Sequence, residues 1–181
     1  MEKLKQFLDK LLNPTVIILF AVTLRLVPHP PNFAPIAAMA LFGGAYLNRK
    51  YAIVIPLVVM FLSDIFIGFY SPVVMTSVYG SFVLVGLLGM WLKKRKSPGN
   101  VIAAAIGSSL LFFLITNFAV WAAGAYARDL SGLAQSYVMG LPFFRNTLLG
   151  DLFYTGVFFG GYELVKSLAV QKRPSAEIIK S

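Results

Sequence analysis

Long apolar runs separated by short polar loops constrain the fold of this chain more than any other feature of its sequence. Residues 51–69, 72–92 and 101–126 are nearly all apolar, and each has about the 20-residue length that a membrane-spanning helix needs. The chain is 58% hydrophobic and 13% charged, whereas about a quarter of the residues in soluble domains are charged. These features predict an all-α integral membrane protein.

Three further runs complete a prediction of six transmembrane helices. Residues 14–27 and 33–47 are short for full spans, so they form either two tilted spans or one broken hairpin, and we expect two spans. Residues 146–168 form the sixth span. Residues 133–144 contain Gly140 and Pro142 and are too short to cross, so we expect a re-entrant or interfacial piece there.

The two ends of the chain differ in character from these runs. Residues 1–12 carry leucines at helical spacing opposite lysines, which predicts a short amphipathic helix. Residues 171–181 are polar and predict a flexible cytoplasmic tail. We therefore expect a single transmembrane domain over residues 1–170.

The basic residues indicate how the spans are oriented. Six spans place both termini on one side, and 13 of the 16 Lys and Arg residues then lie on that side. Only Arg25, Arg128 and Arg145 fall on the other. Short loops rich in Lys and Arg stay in the cytoplasm, so we expect both termini to be cytoplasmic. The net charge of +9 is then a topological signal, and we expect no nucleic-acid partner.

Residues 25–35 (Arg-Leu-Val-Pro-His-Pro-Pro-Asn-Phe-Ala-Pro) place a cation, the single histidine and an amide among four prolines, between two apolar runs. Prolines fix φ and remove backbone donors, so this stretch is a stiff extended connection. We expect its polar side chains, Arg25, His29 and Asn32, to line a binding site at one face of the membrane.

Further polar residues fall in the same outer half of the predicted spans. An ionisable residue at the centre of a span costs roughly 2.5–3.5 kcal/mol on insertion scales, and such residues face partners or cavities. The predicted substrate-binding set is Arg25, His29, Asn32, Asp64, Tyr79, Asn117, Trp121, Arg145 and Asp151. For each single residue a structural role stays open, because charged side chains snorkel or cap helices and Tyr and Trp anchor helices at the interface.

Catalysis and a resident metal are not indicated. The chain has no cysteine and one histidine, so a thiolate metal site is excluded. The aspartates, the histidine and the serines form no nucleophilic triad and no zincin spacing. We expect a protein that is not an enzyme and has no cofactor and no metal site.

Small residues recur at four-residue spacing in three places: Ala34 and Ala38, Ala40 and Gly44, and Gly156 and Gly160. Such pairs let the backbones of two membrane helices approach closely. Gly86 and Gly89 add two small residues to the fourth predicted span.

Several short motifs lie at residues 24–33 (with Pro-His-Pro-Pro-Asn), 40–44, 63–64, 78–82, 116–121 and 142–146, with Gly150 and Asp151. With these motifs the chain resembles an uncharacterised bacterial membrane family that is akin to the substrate-binding S components of energy-coupling-factor (ECF) vitamin transporters. S components bind a vitamin or metal ion in an outward-facing cavity beneath the loop after the first span. The resemblance therefore implies an S-component-like bundle in the bacterial cytoplasmic membrane, with an ECF energising module as a candidate partner.

The resemblance is nearest to the solitary cobalamin-uptake proteins known as BtuM. These carry a His in the first loop, an Asp ending the third span and an Arg near the start of the last, places that His29, Asp64 and Arg145 occupy here. Cobalamin or another corrinoid is thus a candidate substrate, with His29 as its available axial ligand. BtuM proteins also use a cysteine as a cobalt ligand, which this chain lacks.

S components usually dock on the coupling subunit through an Ala-x-x-x-Ala pair in the first span. Here that span offers Ile17 and Ala21, and the alanine pair, Ala34 and Ala38, falls at the start of the second.

The favoured hypothesis is a membrane-embedded substrate-binding and uptake protein for a small vitamin-like solute, with its site at the outer face. The partners it implies are that solute and the lipid bilayer. Two alternatives stay open: a structural or assembly protein in which the polar residues only join the loops, and a membrane enzyme acting on lipid through Asp64 and Asp151.

Overall fold

The computed structural model describes residues 13, 16 and 30–171, and within this part of the chain every regular element is helical. The helices are α1 (Ile36–Tyr46), α2 (Arg49–Ile67), α3 (Pro72–Leu92), α4 (Pro98–Ala122), α5 (Leu130–Thr155) and α6 (Gly161–Gln171), with a π-helical segment, Gly156–Gly160, between α5 and α6. The predicted amphipathic helix, the first predicted span and nearly all of the predicted tail lie outside the described residues.

Three helices, α2, α3 and α4, are long and apolar enough to cross a membrane. Many of their large apolar side chains point outward; Phe66 of α2, for example, is 81% exposed. A soluble protein does not expose apolar surface on this scale, whereas lipid covers it without cost. The all-α prediction is confirmed for the described residues, and a membrane location fits them. The count of six spans stays a prediction.

Helix α1 forms the centre of the bundle. Ile36 to Ala45 are all buried, and the helix packs against α2, α3, α4 and α5. Its 11 residues are too few to cross a bilayer alone. A helix that is apolar on all sides is stable only when it is surrounded by other apolar surface, and here neighbouring helices supply that surface.

Glycines bring α1 and α3 together. A Cβ atom added to Gly89 would lie 2.9 Å from the Cα of Leu41, and one added to Gly44 would lie 2.7 Å from the Cα of Gly89. Real side-chain atoms do not come that close to a backbone. The close packing expected at Gly44 and Gly89 is therefore observed.

The boundaries of α3 and α4 follow from local signals. Helix α3 coincides with the predicted span 72–92, and it begins at Pro72, which suits the first helical turn because proline has no N–H to leave unpaired. Helix α4 begins three residues earlier than predicted. The hydroxyl of Ser97 accepts a hydrogen bond from the Asn100 N–H at 3.2 Å, and Pro98 follows it.

Helix α5 corrects one expectation. We expected a separate re-entrant or interfacial piece at residues 133–144, but these residues belong to one helix that continues through Pro142 to Thr155. The Asp129 carboxylate caps its start by accepting a hydrogen bond from the Gly132 N–H at 2.7 Å. A proline is tolerated inside a packed membrane helix because neighbouring groups satisfy the backbone atoms that it frees.

Candidate functional site

A tight turn begins the described part of the polar loop. The N–H of Phe33 donates a hydrogen bond to the carbonyl of Pro30 at 3.0 Å, which makes residues 30–33 a β-turn. Asn32 has a φ of 64°, and a positive φ at the third position, after a proline at the second, is typical of a type II turn. Asparagine is one of the few non-glycine residues that adopt this conformation readily.

The turn is attached to α5 by a hydrogen bond, a close backbone contact and a contact between aromatic rings. The Asn146 amide donates a hydrogen bond to the Pro31 carbonyl at 3.0 Å. One helical turn later, a Cβ atom at Gly150 would lie only 3.2 Å from the Cα of Phe33, so the glycine lets the loop backbone rest directly on the helix. The ring of Phe33 also packs on Tyr154, at 5.6 Å between centroids.

A cavity of about 320 Å³ lies beneath this turn, and we refer to it as the outer cavity. The turn, all five helices from α1 to α5 and the α2–α3 loop contribute to its wall. Its lining includes Asn32, Met60, Tyr70, Phe112, Thr147 and Asp151. Apolar walls with a few convergent polar groups are the usual composition of a small-molecule site.

Asp151 supplies the carboxyl group in the lining of the outer cavity. It is 2% exposed, and the buried hydroxyl of Ser109 on α4 donates a hydrogen bond to its Oδ2 at 2.6 Å. A carboxylate in an apolar environment needs such donors, because burial without them is very costly. A carboxylate oxygen accepts more than one hydrogen bond, so Asp151 retains capacity to accept a donor from a bound solute.

Asp64 forms a second buried carboxylate beside the same cavity. It is 1% exposed, and the hydroxyl of Tyr79 on α3 donates a hydrogen bond to its Oδ2 at 2.7 Å. Met60 and Ile67, which share its face of α2, line the outer cavity. The Asp64–Tyr79 pair therefore joins α2 to α3 beside the cavity.

Two residues of the predicted set lie elsewhere. The Asn117 amide donates to the Phe113 carbonyl at 2.8 Å, and a Cβ atom at Gly140 would lie 2.8 Å from its Cγ. The Trp121 indole donates to the Ala127 carbonyl at 2.9 Å. Asn117 thus packs α4 against α5, and Trp121 holds the loop between them.

Of the three remaining members of the set, the structure describes only Arg145. Arg145 is exposed on α5, one residue before Asn146, and it is absent from the lining. Arg25 and His29 lie outside the described residues. The structure therefore brings Asn32 and Asp151 together in one cavity, with Asp64 and Tyr79 beside it.

Sequence reasoning missed Ser109 and Thr147. Ser109 follows Ser108 in the middle of an apolar run. Two adjacent hydroxyl groups inside a predicted span could have indicated a polar contact there. Within residues 30–171, His, Cys, Asp and Glu side chains do not gather in groups of three or more that could hold a metal ion.

Comparison with known proteins identifies a family without assigning an activity. Residues 5–174 match the model described as Family of unknown function (DUF6580). The match covers most of the chain, so the chain belongs to this family. No curated protein and no solved structure matches it significantly.

Proposed function

We propose that this member of the family is a membrane-embedded protein that binds a small vitamin-like solute at the outer face and takes part in its uptake. The observation that carries the proposal is the outer cavity, which combines a proline-rich turn as its cover, apolar walls and the buried carboxylate of Asp151. We propose no catalytic role.

The lining supports a solute that donates hydrogen bonds. Asp151 accepts them as a carboxylate, and Asn32, Tyr70 and Thr147 add an amide and two hydroxyls. An amine, an amidine or a ring amide would match this set. Apolar contacts from Met60 would hold the rest of the solute.

The volume supports a ligand smaller than a corrinoid. Drug-sized ligands occupy pockets of roughly 300–1,000 Å³, and the outer cavity, at about 320 Å³, lies at the lower end of that range. A corrinoid macrocycle with its side chains is larger than a typical drug. We therefore favour a compact vitamin or vitamin precursor over cobalamin.

The proposed topology has six spans, with both termini in the cytoplasm of a bacterium. The outer cavity lies where α2 ends and α3 begins, and the cluster of Lys93, Lys94, Arg95 and Lys96 lies at the opposite end of α3. Basic loops stay on the cytoplasmic side, which supports an outward-facing site.

Docking to an ECF energising module stays a proposal, and one candidate contact offers it no support. Ala38 is 0% exposed, because it lies in the central helix α1. The pair Ala34 and Ala38 is therefore not a free surface on which a coupling subunit could pack.

The proposal is tested by native mass spectrometry of gently purified protein and by thermal unfolding with a panel of vitamins and their precursors. We expect a co-purified small molecule, or a rise in the unfolding temperature with one compound. Asp151→Asn should weaken that binding by about tenfold or more, because a charge-assisted hydrogen bond is lost. Trp121→Phe is the matched control and should bind as the wild type does. A bare protein that no compound stabilises would contradict the proposal.

A structural or assembly role is the second candidate, and the roles of Asn117, Trp121 and Asn146 favour it. Each of these polar side chains binds the backbone of its own helix or a loop. If the polar side chains of the bundle served only to hold its helices and loops together, Asp151→Asn would change the stability of the protein and would leave every ligand measurement unaffected.

A further inference from the structure

A second cavity lies along α4 and α5, two of the five helices that line the outer cavity. It has a volume of about 530 Å³ and lies between the first half of α4 and the segment from α5 through the π-helical turn to α6. Its lining includes Lys96, Ala105, Leu152, Thr155, Phe159 and Glu163. We refer to it as the inner cavity, because Lys96 and Glu163 lie at the end of the bundle opposite Asn32.

Thr155 gives the inner cavity an unsatisfied polar group. It is 3% exposed, and its hydroxyl is the buried side-chain polar atom without a hydrogen-bond partner among the described residues. Thr116 and Thr147 satisfy their hydroxyls on the carbonyl four residues earlier, as threonines in helices commonly do. A buried hydroxyl without a partner is costly, so an unpaired one that lines a cavity points to a ligand or water there.

The two cavities are lined by successive turns of α4 and α5. On α5, Thr147 and Asp151 line the outer cavity, and Thr155 lines the inner one. Four-residue spacing places all three on one face, so Asp151 and Thr155 lie about 6 Å apart along the helix. On α4, Phe112 lines the outer cavity and Ala105 the inner one.

Ser109 lies between Phe112 and Ala105 on α4 and bonds Asp151 at 2.6 Å. Along the contact between α4 and α5, the hydrogen-bonded pair Ser109 and Asp151 therefore lies between the residues that line the outer cavity and those that line the inner cavity.

We propose that the outer and inner cavities are the two vestibules of one translocation path along the contact between α4 and α5, and that the Ser109–Asp151 pair is the gate between them. The inference rests on the proposed function and extends it. The chain that binds the solute also provides its route across the membrane, and Thr155 is the first polar contact after the gate.

The backbone beside Thr155 suits a helix that changes shape. The π-helical segment begins at Gly156, directly after Thr155, and ends at Gly160, which Gly161 follows. π-Helical turns inside α-helices are rare and are frequent at functional sites. Among the described residues, no atom outside the local helix lies within 4 Å of a Cβ position at these three glycines, so the glycine side of this segment is not packed against another helix, whereas Phe158 and Phe159 on its other side are buried.

A lipid-filled groove is the competing explanation, and the distribution of polar groups argues against it. Lys96 at the mouth is paired with Glu163 at 3.0 Å, so this lysine is not a free cation that could bind a lipid phosphate. The unpaired hydroxyl lies about 12 Å from Glu163 along the helix, given eight residues at 1.5 Å each. An acyl chain at that depth would leave Thr155 unsatisfied, whereas water or a polar solute would not.

Cysteine accessibility tests the path without knowledge of the solute. The chain has no native cysteine, so Thr155→Cys introduces a single thiol. The probe is a positively charged methanethiosulfonate reagent that does not cross membranes, applied to right-side-out or inverted membrane vesicles, with intact-mass measurement of the modified full-length protein. Gly160 also lines the inner cavity and has space for a side chain, so Gly160→Cys is a second test position. Val157→Cys, at a position 49% exposed on the apolar outer surface, is the control.

We expect Thr155→Cys and Gly160→Cys to react from one side only, the side opposite Asn32, and Val157→Cys to react from neither. Adding Ser109→Ala to Thr155→Cys should open the gate and allow reaction from both sides. Reaction of Gly160→Cys alone would mean a shallow surface groove and would overturn the path.

Reaction of Thr155→Cys with a lipid-soluble maleimide but not with the charged reagent would mean a lipid-filled groove, and would also overturn the path. Neither result depends on solute binding at the outer cavity. A failure of the path is therefore distinguishable from a failure of the proposed function.

Discussion

Ser109 and Asp151 are 42 residues apart in sequence, and their 2.6 Å hydrogen bond joins α4 to α5 in the interior of the bundle. Both side chains are at most 2% exposed. Asp151 also lines the outer cavity. The bond therefore links the integrity of the bundle to the candidate site, and its removal should be measurable in both.

Ser109→Ala removes the donor to Asp151. We expect it to lower the free energy of unfolding by about 1–3 kcal/mol, because a buried acceptor is left unsatisfied. Ser108→Ala is the control, since Ser108 is equally buried but bonds only the Ala104 carbonyl at 2.8 Å. Thermal unfolding in detergent should show a larger decrease for Ser109→Ala, and equal decreases would contradict the role of the pair.

Tyr79→Phe removes the 2.7 Å hydrogen bond to Asp64. We expect a loss of about 1–3 kcal/mol in stability, because Asp64 is buried and loses a donor. Tyr137→Phe removes a hydroxyl that donates to the Leu114 carbonyl at 2.9 Å in a more exposed position. Chemical denaturation should show a smaller effect for Tyr137→Phe; the reverse order would mean that Asp64 does not depend on Tyr79.

Gly89→Ala places a methyl group against the backbone of Leu41, 2.9 Å from its Cα. Because α1 cannot move away inside a packed bundle, we expect destabilisation of about 1–3 kcal/mol or more. Gly107→Ala, in α4 with open space at its Cβ position, should stabilise the helix by about 0.5–1 kcal/mol. Opposite signs for the two variants would support the packing, and a tolerated Gly89→Ala would refute it.

Asn146→Ala removes the 3.0 Å hydrogen bond to Pro31. We expect faster amide hydrogen exchange in a peptide covering residues 30–35, because the turn loses the hydrogen bond that attaches Pro31 to α5. The exposed neighbour Arg145 provides the control, and Arg145→Ala should leave that exchange unchanged. Unchanged exchange in Asn146→Ala would mean that Gly150 and the Phe33 ring suffice to hold the turn.

Local signals in the sequence were enough for most of the helices. Pro72 and the apolar residues after it predicted α3 at its observed limits, because a helix start and lipid compatibility depend on residues within a few positions of each other. The same reasoning wrongly predicted a separate segment at residues 133–144, since proline is a strong local helix breaker and Pro142 lies within that segment. Packing against α4 at Gly140 and Asn117 outweighed that signal.

The sequence indicated which kinds of side chain the candidate site would contain, but not which residues would come together in it. The cost of burying a carboxylate identified Asp64 and Asp151 as residues that need partners, and both are buried and hydrogen-bonded. Which residues those partners are depends on how distant helices pack, so Tyr79 and Ser109 were assigned only by the tertiary structure. The same packing placed Asn117 and Trp121 outside the cavity, although their polarity and depth matched those of the lining residues.

The sequence alone determined that the described part of this chain is helical and suited to a membrane, because these properties follow from composition and spacing along the chain. The tertiary structure alone decided that α1 is central, that a turn covers a cavity lined by Asp151, and that a second cavity begins about one helical turn further along α5, at Thr155. These relationships depend on contacts between residues far apart in sequence, and the free energy of such contacts is set by the fit of whole helices.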